Sequence, residues 1–134
     1  MFIKEQELFE ALKNSFIPDL TPSHKQMARY DCYSKSYNLD IELKCRKKHY
    51  DDLLIEKKKY DALILRAVTF GSSPVYINST PIGVWAFRIL EIGEPSWETR
   101  GMPKTSEFSQ RQFIDKVVGY YHIDSGVEIT DKIK

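Results

Sequence analysis

The chemistry-bearing part of this chain is short: Asp31, followed by Asp40-Ile-Glu42-Leu-Lys44. On an extended strand, side chains two apart share a face, so Glu42 and Lys44 project together, about 7 Å apart along the backbone. A carboxylate for a metal thus stands beside an ammonium for a water. Hydrolysing a phosphodiester needs a polarised phosphorus, a deprotonated water and relief of charge on the leaving oxygen. A hard divalent ion held by carboxylates supplies all three.

Those groups are useful only if the backbone presents them together. Arg29-Tyr-Asp31-Cys-Tyr33 reads as a short strand, Ser34-Lys-Ser36 as a turn, and the stretch to Arg46 as a second strand. In that second strand Tyr37, Leu39, Ile41, Leu43 and Cys45 make an apolar core face; Asn38, Asp40, Glu42, Lys44 and Arg46 make a charged one. Pairing Asp31 opposite Asp40 sets it diagonal to Glu42, within reach of a shared ion. A slip of one residue turns Asp31 to the core and abolishes the site. The turn has neither Asn-Gly nor Asp-Gly, so sequence leaves the register open.

Residues 2–16 are predicted helical, because Leu8, Phe9, Leu12 and Phe16 recur at helical spacing. Glu5 falls in the middle of that apolar face. Either an ion or a water network pairs with it, or fraying of the first turn leaves it near solvent. A second helix is predicted over 56–69, with Tyr60, Leu63, Ile64, Ala67 and Val68 as its apolar stripe and Gly71 and Pro74 closing it. Residues 74–78 and 84–90 are strand-like. Residues 94–105 read as loop, and 108–118 as either a short helix or a strand.

With 134 residues, 42% hydrophobic and 29% charged, the composition is that of one folded domain. No apolar run approaches the roughly 20 residues that cross a bilayer, and Met1-Phe-Ile-Lys-Glu-Gln-Glu does not resemble a secretory leader, which predicts a cytoplasmic protein. Cys32 and Cys45 are too few for a zinc site, and His24, His49 and His122 are scattered, so zinc chemistry is excluded. The formal charge of +1 is uninformative, but Arg46-Lys47-Lys48 and Lys57-Lys58-Lys59 concentrate positive charge after the charged strand. They could line a phosphate track, with Lys58 favoured and Lys57 next, or be ordinary solvated surface. Trp85, Trp97, Tyr76 and Phe87 read as core, whereas Tyr30, Tyr33 and Tyr37 flank the hairpin where a substrate would pass.

Taken in order, helix glutamate, strand aspartate, Glu42-Leu43-Lys44 strand, helix and strand resemble the PD-(D/E)xK nuclease superfamily, which includes Holliday junction resolvases and many restriction enzymes. The first helix, Glu5-Gln-Glu-Leu-Phe-Glu-Ala-Leu-Lys-Asn-Ser-Phe16, is similar to that of archaeal-type resolvases. The resemblance covers about residues 5–90 and leaves 91–134 as a C-terminal extension. Arg29-Tyr30 stands where the family name would put a proline. The resemblance implies an α/β (α+β) domain with a restriction-endonuclease-like core and a mixed sheet. It also implies Mg²⁺ or Mn²⁺ held by Asp31, Glu42 and the Leu43 carbonyl, with Lys44 orienting or helping to deprotonate the attacking water. Glu5 becomes an accessory ligand. The implied partner is DNA, branched or structured, with a homodimer if two strands are cut symmetrically.

Two other classes remain open on sequence. One is a catalytically inactive nucleic-acid-binding or assembly protein with a nuclease-like fold. The other is an interaction module docking through the aromatic strands of residues 75–90.

Overall fold

The computed structural model describes residues 1–23, 30–103 and 113–133. The elements run α1 (Glu5–Ser15), β1 (Thr21–Pro22), β2 (Asp31–Ser34), β3 (Leu39–Cys45), β4 (Asp52–Glu56), α2 (Lys57–Phe70), β5 (Ser73–Thr80), β6 (Gly83–Arg88), α3 (Ile89–Ile92), β7 (Glu98–Pro103), β8 (Phe113–His122) and β9 (Val127–Glu128). Among these residues no helix is long and apolar enough to cross a membrane.

A mixed sheet of order β1-β2-β3-β5-β6-β9 forms the centre. Every neighbouring pair in it is antiparallel except β3 and β5. Parallel neighbours cannot be joined by a tight turn. Here β4 and α2 fill the crossover. The expected helices and the strands around β5 and β6 are present.

Alternation in the strands divides the interior in two. Cys32, Ile41, Leu43, Val75, Ile77 and Val84 meet Leu8, Phe9 and Leu12 of α1 in one core. On the other side, Tyr76, Trp85 and Phe87 pack with Leu63 of α2, Leu53 and Ile55 of β4 and Tyr121 of β8. The second core is closed by a three-stranded antiparallel sheet of order β4-β8-β7. Trp85, Phe87 and Tyr76 are buried as core, and Trp97 packs edge-on against Tyr60.

Three features of this second sheet depart from the sequence reading. Residues 94–105, read as loop, contain β7. The undecided stretch over 108–118 contributes a strand from Phe113, its earlier residues lying outside those described. The basic segment hides β4, whose buried Leu53 and Ile55 flank half-buried Leu54, so its five residues carry no apolar–polar alternation. Their strand character comes from pairing with β8, about sixty residues away in sequence, which no local pattern reports. His24 and the expected strand start at Arg29 also lie outside the described residues.

The β2–β3 turn is fixed by side chains instead of an Asn-Gly pair. Asp19 accepts hydrogen bonds from the Ser34 hydroxyl at 2.6 Å and the Ser36 N–H at 2.9 Å. These bonds favour the ionised carboxylate and hold its pKa down at about 2. Asn38 closes the turn at φ 56, a left-handed conformation that Asn tolerates. Its amide donates to the carbonyl of Gly71, which ends α2 in the same left-handed region. The turn and the end of α2 are thereby tied together.

Candidate nuclease-like site

The hairpin pairs Asp31 directly with Glu42 and Asp40 with Tyr33. This register differs by two residues from the one expected, and an even shift leaves every side chain on its original face. Asp31 is therefore a cross-strand neighbour of Glu42 and not its diagonal one. Leu43 N–H donates to Tyr30 carbonyl at 2.8 Å, so alternation makes Asp31 and Glu42 a non-hydrogen-bonded pair, the class with the closer side chains. Leu43 itself is buried on the α1 side, and its carbonyl belongs to the backbone between Glu42 and Lys44.

The charged face of β3 is not open to solvent. Helix α2 lies over it, so Asp31, Asp40 and Glu42 are all buried. Burial pushes the Glu42 carboxyl up to about 7, with Asp31 adding to the rise and Lys59, Arg66 and Lys44 opposing it. Burial also depresses Lys44, helped by the charge of Arg46; Glu5 and Glu56 oppose that shift. The site thus holds a carboxyl that is reluctant to ionise and an ammonium that is easier than usual to deprotonate.

Glu5 is half-buried at the first position of α1, and its Oε2 accepts the Cys45 N–H at 3.0 Å. A helix side chain is thereby fixed to the end of the strand carrying Lys44. Asn78, in register with Lys44 on β5, is fully buried. Its Nδ2 has no hydrogen-bond partner among the described residues.

The basic residues separate into two groups. Lys47, Lys48 and Lys58 are exposed. Arg46 is turned inward, donating to the Leu54 carbonyl, to Tyr76 Oη at 3.1 Å and to Asn78 Oδ1 at 3.4 Å. Its guanidinium braces β4 against β5. Lys57 pairs with Asp61 at 2.8 Å and lies 5.7 Å from the centre of the Trp97 ring. Of the hairpin tyrosines, Tyr37 is exposed, Tyr33 lines a cleft beside the site, and Tyr30 packs on Phe9.

Two α2 residues stand at this candidate site without having been assigned to it from sequence: Arg66 was not singled out, and Lys59 was named only with the phosphate track. Arg66 Nη1 contacts Asp31 Oδ2 at 2.8 Å, and its Nε lies 3.7 Å from Asp40 Oδ1. Lys59 is the largest opposing charge on Glu42. The signal was present: residues 59, 63 and 66 fall within about 60° on a helical wheel, so a buried Leu63 brings Lys59 and Arg66 toward the sheet. Val68, assigned to the stripe, is exposed instead, because α2 is rotated toward the carboxylates.

Among the described residues no group of three or more His, Cys, Asp or Glu converges as a metal cluster. Two facing carboxylates remain a suitable donor set for a small hard cation, since Mg²⁺ keeps several waters and takes one or two carboxylates. Glu42, buried and incompletely compensated, is the kind of group such a charge would stabilise.

This architecture, a mixed sheet with helices on both faces, is an α+β fold of the restriction-endonuclease-like kind. In particular, the chain is similar to Hjc, a Holliday junction resolvase from the archaeal hyperthermophile Archaeoglobus fulgidus, with a TM-score of 0.53 and 15% identity over 95% of this chain and 94% of that one. The likeness reaches well past residue 90, where the sequence resemblance stopped. Comparison with protein-family models and with curated proteins finds no match.

Proposed function

We propose that the protein is a divalent-metal-dependent endonuclease of the PD-(D/E)xK type acting on branched DNA. The observation that carries this reading is the buried cross-strand pair Asp31 and Glu42 with Lys44 two residues on, within a resolvase-like fold. Asp31, Glu42 and the Leu43 carbonyl would hold Mg²⁺ or Mn²⁺, which when bound supplies charge for the phosphate and a water of lowered pKa. Lys44, its proton loosened by burial, holds the attacking water and can take its proton. Glu5 keeps the strand end in place through the Cys45 N–H. Exposed Lys47, Lys48 and Lys58 meet phosphates; Arg46 and Lys57 are engaged with the protein. A homodimer would present two such sites to the two strands of a junction.

One observation favours a second reading, DNA binding without cleavage: Asp31 already has a cationic partner in Arg66. Incubation with single-stranded, duplex and branched DNA and with RNA, in Mg²⁺, Mn²⁺ or EDTA, separates the two. The nuclease reading predicts product from branched DNA in either metal and none in EDTA. Salt-sensitive binding with no product under any condition would leave the second reading standing.

A further inference from the structure

We propose that Arg66 is a built-in substitute for the divalent cation, a positioning residue that holds Asp31 in the metal-free protein and transfers to Asp40 when a cation binds. The inference rests on the nuclease reading and adds a residue that the sequence pattern does not contain. Arg66 stands between two buried carboxylates with only one fully engaged, 2.8 Å from Asp31 and 3.7 Å from Asp40. The longer distance is an ion-pair contact but not a hydrogen bond.

Its remaining donors are unspent. Nε and Nη2 are buried and have no hydrogen-bond partner among the described residues. A buried donor without an acceptor is costly, so the arrangement is held less firmly than a bidentate fork would be. Asp40 is ready to accept: its Oδ2 takes the Ser72 hydroxyl, which fixes the carboxylate with Oδ1 toward Arg66. Space for the movement exists as well. Arg66 and Asp40 both line a cleft of about 620 Å³, walled also by Ser34, Ser72 and Phe70.

A guanidinium on Asp31 and a divalent ion on the same carboxylate repel one another and compete for its oxygens. Transfer to Asp40 relieves both conflicts and leaves no buried charge unpaired, which is the condition under which buried ions are tolerated. The binding of a cation and the position of Arg66 are then two sides of one equilibrium.

The test is Mn²⁺ affinity by calorimetry in the native protein, Arg66→Gln, Asp40→Asn and the double variant, with circular dichroism confirming the fold. Arg66→Gln should bind Mn²⁺ roughly 10-fold more tightly, the scale on which groups contacting a metal's ligands act. Asp40→Asn should weaken binding by a similar factor in the native background and leave it unchanged when Arg66 is already Gln. Additive effects, or an affinity unaltered by Arg66→Gln, would overturn the proposal. Should a variant misfold, Mg²⁺ titration of the native protein while observing the Arg66 Nε–H resonance by NMR gives the answer: a saturable shift supports transfer, and an unmoved resonance rejects it. Loss of Mn²⁺ binding in Asp31→Asn and Glu42→Gln, with Arg66→Gln indistinguishable from native, would sink the Arg66 proposal alone. No Mn²⁺ binding by any form would sink the nuclease reading with it.

Discussion

The two faces of β3 are equally hidden from water and chemically opposite. Toward α1, Ile41 and Leu43 are 0% and 2% exposed; toward α2, Asp40 and Glu42 are 3% and 7% exposed. The first face gains free energy from burial, while the second bears the desolvation of carboxylates that only partial pairing offsets. Exposure alone therefore does not distinguish core from site in this strand. What distinguishes them is whether burial is compensated: on the α2 side desolvation raises the Glu42 carboxyl, and Arg66 Nε and Nη2 have no hydrogen-bond partner among the described residues.

Breaking the apolar face should have the largest effect on folding. Ile41→Ala removes a fully buried side chain between α1 and the sheet and should cost about 2 to 5 kcal/mol in urea unfolding. A loss below about 1 kcal/mol would mean that the α1 core repacks freely.

The opposite sign is expected from the polar face. Glu42 is raised to about 7 from an ordinary 4.5, so between those values the folded state keeps a proton that the unfolded chain has lost. Metal-free stability should then be greatest below pH 4.5, fall as pH rises toward 7 and level off above it. Glu42→Gln should flatten that slope and, above pH 7, stabilise the metal-free protein by about 1 to 3 kcal/mol. Urea midpoints in EDTA across this range measure it; destabilisation by Gln at high pH would show that the buried carboxylate is already well paired.

A smaller effect sharpens the comparison at the strand end, where the two faces meet. Glu5→Ala removes the acceptor for Cys45 N–H and should cost about 1 kcal/mol, with faster hydrogen exchange at that amide. Unchanged exchange would reduce Glu5 to a helix-start residue with no hold on β3.

Much of this was legible in the sequence, and the gaps have physical causes. Helical spacing of Leu8, Phe9 and Leu12 and alternation through Ile41 and Leu43 located α1 and β3, because each reports burial on one side of a local element. Asp31, Glu42 and Lys44 were singled out because a period of two puts Glu42 and Lys44 on one face and the hairpin, shifted by an even number of residues, returns Asp31 to it. The register came out two residues from expectation because Asp19, fifteen residues before Ser34, pins the turn. Residues 52–56 and 98–103 were missed as strands, since both depend on β8 for their hydrogen bonds. Arg66 was not singled out, and Lys59 was placed only in the phosphate track, because the stripe of α2 was read from its apolar residues alone, and the helix turns partly toward charge.

The most direct test of the central claim is single-turnover cleavage of a labelled four-way DNA junction in Mg²⁺ by the native protein and by Glu42→Gln. If the buried face of β3 is a hydrolytic site, Gln at this position lowers the rate by roughly 100-fold or more, the scale of losing a group that acts in the transition state. Cleavage at the native rate by Glu42→Gln would contradict the account.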